Sequence, residues 1–103
     1  MKIKNINGTS ANKCSCDSWL AHWKSFSRQT IIYCCEKGCT SKELVGAHVQ
    51  KADGYDSNWY ILPLCNAHNQ SANELEVSDI YNLVSANKAE TCEKPKTYRV
   101  YGL

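Results

Sequence analysis

Four residues in two pairs carry the clearest chemistry in this chain. Cys34 and Cys39 bracket a short turn, Cys-Cys-Glu-Lys-Gly-Cys, and Cys65 and His68 follow as Cys-Asn-Ala-His. Thiolate and imidazole are borderline-soft donors that suit tetrahedral zinc. A turn supplies the first pair. The start of a helix supplies the second, because residues three apart share a helical face. Cys35 is an alternative to Cys34 by a one-residue shift; Cys34 is preferred because the longer gap leaves room for the Gly38 turn.

Cys14, Cys16, His22 and Cys92 form a looser set. Their spacing matches no compact metal pattern. They read either as a second zinc site or, preferably, as side chains that pack where the termini meet, with Cys16 and Cys92 as the pair in contact or in disulfide. His48, in Gly46-Ala47-His48-Val49, is the histidine between the two central pairs. On a strand it is either half-buried and hydrogen-bonded or a working base.

These side chains need elements to hold them. Asp17 or Ser18 can cap a helix, and Trp19, Leu20, Trp23 and Phe26 recur at three and four residues, giving it one apolar face. Thr30-Ile31-Ile32-Tyr33 is β-branched and aromatic and predicts a strand entering Cys34. A second strand is predicted over 44–49, a polar loop over 52–58, and a third strand over 59–62 closed by Pro63. The last two make a hairpin. A helix is predicted over about 66–73, a break near Glu76, a helix over 79–84 capped by Ser78, and an edge strand over 97–101. Residues 1–13 read as a polar lead-in with a turn at Asn7-Gly8.

The hairpin, the ligand pairs and the helix that follows resemble the HNH endonuclease group, the ββα-metal nucleases. Gly-Ala-His-Val (46–49) and Trp-Tyr-Ile-Leu-Pro-Leu-Cys-Asn-Ala-His-Asn (59–69) carry the resemblance, which spans residues 34–73. It implies a treble-clef zinc layout, with zinc purely structural on Cys34, Cys39, Cys65 and His68. It also implies that His48 is the general base and Asn69 a ligand for a catalytic magnesium or manganese. Three positions depart from the group. Ala47 stands where an acidic metal ligand is usual. The middle asparagine position falls near Tyr60, with Asn58 two residues early. Gln70-Ser71-Ala72 supply no helix lysine. Magnesium prefers carboxylate oxygen, so Asp53, Asp56 and Glu74 are the candidate replacements. Ser-Trp-Leu-Ala-His-Trp (18–23), Gly-Ala-His-Val-Gln-Lys (46–51) and Leu-Val-Ser-Ala-Asn (83–87) with Thr91-Cys92 also resemble a set found together in small bacterial proteins, which implies a bacterial or phage origin.

Composition bounds the rest. With 103 residues the chain makes one domain, with a core motif at about 30–75, an N-terminal helix over 14–28 and a C-terminal extension over 78–103. The expected class is α+β. Seven cysteines without an apolar leader (Met1-Lys2-Ile3-Lys4-Asn5 is polar) favour reduced, metal-holding thiols in the cytoplasm over secreted disulfides. No segment is apolar enough to cross a membrane. The formal net charge is only +2, and Lys88, Lys94, Lys96 and Arg99 read as solvated surface. Two functions follow as expectations. One is a metal-dependent DNA or RNA nuclease. The other is an inactive zinc-stabilised module that presents Tyr55, Trp59, Tyr60 and nearby lysines to nucleic acid or to a protein.

Overall fold

The computed structural model describes residues 1–6, 14–87 and 91–92. The turn at Asn7-Gly8, the strand over 97–101 and the basic group Lys88, Lys94, Lys96 and Arg99 lie outside the described residues. Among the described residues, five strands and two helices follow in the order β1 (Lys2–Asn5), α1 (Trp19–Ser27), β2 (Leu44–Lys51), β3 (Tyr60–Cys65), α2 (Asn66–Asn69), β4 (Leu75–Glu76) and β5 (Val84–Ser85). The strands form one sheet, ordered β4-β1-β2-β3-β5, with every described neighbour antiparallel. This is a small mixed α/β fold. No helix among the described residues is long and apolar enough to cross a membrane.

The β2–β3 hairpin is the spine, and its register pairs Gly46 with Pro63, Ala47 with Leu62 and His48 with Ile61. Strand alternation sends these positions to opposite faces. Ala47, Val49, Leu62 and Leu64 join Ile3, Leu75, Val77, Cys34 and Cys35 in the larger core. Gly46, His48 and Ile61 face α1, whose buried Trp23 packs with Ile61 and Val84 in a second, smaller core.

Helix α1 starts after Ser18, one of the two caps the sequence offers, and later than the expected residue 14. The Ser18 side chain accepts from the Ala21 N–H at 3.0 Å, and Arg28, at φ 57°, ends the helix in the left-handed region. The apolar stripe is only partly core: Trp23 is buried, and Phe26 stays exposed at the far end. Its first turn lies directly on the sheet. A Cβ on Gly46 would sit 2.4 Å from the Trp19 carbonyl carbon and 2.5 Å from the Leu20 nitrogen, so only glycine admits the helix here.

Several expected elements differ, each for a backbone reason. The lead-in contains β1, which carries a single buried apolar residue, Ile3, and therefore little periodic signal. Residues 30–33 form no strand: Ile32 is 63% exposed, and the next two N–H groups, of Cys34 and Cys35, bond to the carbonyls of Ser41 and Pro63 in the knuckle. Pro63 does not close β3, which runs on to Cys65. Pairing with β5 ends at Ile61, and the Pro63 carbonyl turns to Cys35, so the missing proline N–H breaks no ladder.

Helix α2 has four residues instead of eight. The Asn5 side chain donates to the carbonyls of His68 (2.7 Å) and Ser71 (3.0 Å), satisfying its C-terminal end. The break expected near Glu76 is strand β4. The helix over 79–84 is absent. The Asn82 carbonyl accepts Trp23 Nε1–H at 2.8 Å, and Gln29 binds both the Asn82 N–H and the Ile80 carbonyl, so tertiary partners take the groups a helix would need.

Candidate metal centres

Among the described residues, two groups of side chains converge tightly enough to hold a metal ion: Cys34, Cys39, Cys65 and His68, and Cys14, Cys16, His22 and Cys92. Within each group the ligand atoms all lie within 4.8 Å of one another. Each offers three thiols and one imidazole. All seven cysteines are free, and the seventh, Cys35, is buried in the larger core.

The knuckle, the end of β3 and α2 build the first group. The Cys39 N–H bonds to the Glu36 carbonyl, and Gly38 takes φ 83° to close the turn. Chain alternation then puts Cys34 at the cluster and Cys35 in the core, which separates the two candidates left open by sequence. Cys34 Sγ lies 3.4 Å and Cys65 Sγ 3.3 Å from His68 Nδ1, and Cys39 Sγ lies 4.0 Å from Cys65 Sγ. Tetrahedral zinc, with bonds of about 2.3 Å to sulfur, has sulfur–sulfur edges of about 3.8 Å and sulfur–nitrogen edges of about 3.6 Å. The donor set and its spacing fit that ion.

The thiols are unequal. Burial pushes Cys34 up to about 11 against backbone N–H groups from Cys65 and Glu36 that favour the thiolate. Cys65 sits at about 7: burial opposes its ionisation, and hydrogen bonds from the His68 backbone and from Cys34, Cys39 and His68 outweigh it. A bound dication replaces these protons, so loading is proton-coupled.

The second group joins α1 to distant chain. Cys16 Sγ lies 3.9 Å from His22 Nδ1, and the Ser15 hydroxyl donates to the Cys92 carbonyl at 3.2 Å. His22 is fully buried, its ring edge against Trp19 at 4.9 Å and tilted on Phe26 at 5.0 Å.

His48 lies on β2 beneath α1, 8% exposed. Its ring meets the edge of Trp19 at 4.6 Å and of Trp59 at 6.4 Å. Nε2 is buried without a hydrogen-bond partner. Burial, and then the nearby His22, lower its pKa from the usual 6.5, so the ring is neutral at neutral pH. Asn69 ends α2, half-buried, with no hydrogen bond to His48. Ala47 points into the larger core, so a carboxylate there would be buried among aliphatic side chains. Among the described residues, none of the candidate replacement carboxylates joins a converging ligand group. Asp53 and Asp56 tie off the hairpin loop at the N–H groups of Tyr55 and Asn58, Asp56 also accepts from the Tyr60 hydroxyl, and Glu74 is exposed. Among the described residues, no three His, Asp or Glu side chains converge beside His48.

Sequence reasoning named Trp59 and Tyr60 as a presented surface but not the β5 residues that share it. A groove of about 510 Å³ runs along the β3–β5 edge, lined by Ser57, Asn58, Trp59, Tyr60, Ser85, Ala86 and Asn87. Trp59 is 42% exposed there. The missing signal is β5, a two-residue strand with no periodicity to read. Compared with known protein families, curated proteins and solved structures, the chain matches none of them.

Proposed function

We propose that this chain is a zinc-stabilised domain of the HNH, ββα-metal type, with a treble-clef layout, that binds nucleic acid without hydrolysing it. Zinc on Cys34, Cys39, Cys65 and His68 is structural: four protein ligands fill the tetrahedron and leave no position for water or substrate. The groove beside Trp59 carries the binding reading. It pairs an accessible indole with the amide and hydroxyl groups of Asn58, Ser57 and Ser85. An unpaired base stacks on such a ring and hydrogen-bonds at its edge. Lys51 lies 5.8 Å from the Tyr60 ring centre and is paired with Asp56 at 3.6 Å, so the groove relies on stacking rather than on this cation.

Against hydrolysis stand the buried ring of His48, the alanine at 47 and, among the described residues, the lack of a converging oxygen-rich group. One observation favours the nuclease reading: Nε2 of His48 is neutral and unpartnered, the state a general base needs before substrate arrives. In that reading Asn69 would hold magnesium or manganese.

One pair of assays separates the two. The zinc-loaded chain is titrated against a labelled single-stranded oligonucleotide, and supercoiled plasmid is incubated with it in magnesium or manganese. The binding reading expects Trp59→Ala to weaken binding about tenfold, the scale of one lost stack, with plasmid intact and His48→Ala without effect on binding. Nicking that His48→Ala abolishes would establish the nuclease instead. Binding unchanged in Trp59→Ala would rule out the groove.

A further inference from the structure

We propose that Cys14, Cys16, His22 and Cys92 form a second structural zinc site, one that fastens residue 92 to the first turn of α1. Three observations converge on it, independent of the nucleic-acid reading.

The first is the donor set. Three sulfurs and one imidazole nitrogen come together from four positions spread over the chain, all within 4.8 Å, although their spacing shows no local metal pattern. A disulfide between two of the thiols would leave a third thiol and a buried imidazole at the same point without a role.

The second is the histidine. Nε2 of His22 lies 2.9 Å from the Ser85 carbonyl of β5. A carbonyl only accepts, so Nε2 carries the proton and Nδ1 presents its lone pair toward Cys16. Carbonyl-oriented imidazole is the usual support of a metal-bound histidine, because it fixes both tautomer and ring direction. A fully buried imidazole packed solely for shape would need no such aim toward three thiols.

The third is the backbone around the site. The Ser15 hydroxyl bonds to the Cys92 carbonyl, so the segment carrying Cys14 and Cys16 and the one carrying Cys92 are already held to each other. Binding would turn three thiols into thiolates, releasing their protons to solvent, and would leave a complex of one negative charge.

Both sites then share one chemistry, three cysteines and one histidine, and together they use six of the seven thiols. The test is zinc stoichiometry on the full chain, by elemental analysis of the purified protein and by cobalt titration of the reduced, metal-free form. Two equivalents per chain are expected, both giving thiolate-to-cobalt bands of tetrahedral sites. Cys92→Ser should lose one of the two, and Cys65→Ser the other. Saturation of the wild-type chain at one equivalent would overturn the proposal. So would a denatured mass lowered by the two hydrogens of a disulfide that Cys92→Ser abolishes. Either result would leave the first zinc site standing, since that site is read separately through Cys65→Ser.

Discussion

His48 shows how much a residue's surroundings decide about its chemistry. In the sequence it is a histidine in a suggestive setting. In the fold it is covered by Trp19, approached by Trp59 and left without a partner at Nε2. Its imidazole is therefore expected to titrate below 6.5 by NMR, since burial penalises the charged form. A value at or above 6.5 would mean that water or a carboxylate reaches the ring. Gly46, two residues earlier on the same face, is equally constrained. Gly46→Ala forces α1 off the sheet and is expected to cost about 1–3 kcal/mol, read as a lowered midpoint in denaturant at unchanged slope. The ligand types at Cys34, Cys39, Cys65 and His68 were legible because each pair lies within one turn. Cys92 was not placed by spacing, since its partners are remote in sequence and only the fold brings them together.

Elements were legible in proportion to their length and to how local their hydrogen bonds are. The cap and stripe of α1 announce a nine-residue helix, and the hairpin strands have enough apolar residues to be read. β4 and β5 have two residues each, too few for any period. Residues 79–84 misled because their carbonyls and N–H groups serve Trp23 and Gln29. Ser18→Ala is expected to cost about 1 kcal/mol of stability by removing the cap bond to Ala21. Asn5→Ala should cost about 1–3 kcal/mol, because two partly buried carbonyls at the end of α2 lose their donor. If that variant also weakens zinc binding, the cap is what holds His68 in place.

At the scale of the whole molecule, the two cores share one sheet, and a cysteine–histidine group lies beside each. Structural zinc at such sites would contribute about 10–16 kcal/mol, as much as the whole stability of a small domain. Chelation under reducing conditions is therefore expected to abolish the cooperative thermal transition and most far-ultraviolet dichroism. Retention of both would show that Ile3, Leu62, Leu64 and Trp23 suffice without metal. Loading also changes the charge. Each site would set three thiolates against one dication, so two loaded sites would bring the formal charge from +2 to zero. On the proposed nucleic-acid reading, binding by a chain of zero net charge is expected to depend on stacking, with only a shallow response to salt.

Cys35 turns this arrangement into a clock. It is 2% exposed, its thiol pushed up to about 12 chiefly by burial, and it belongs to neither cluster. Were zinc to hold the other six thiols, a thiol-directed alkylating reagent would find no free, accessible thiol in the closed protein. Under excess reagent, each modification of the loaded chain then records one opening of the larger core, and the labelling rate of this one sulfur reports how often that opening occurs.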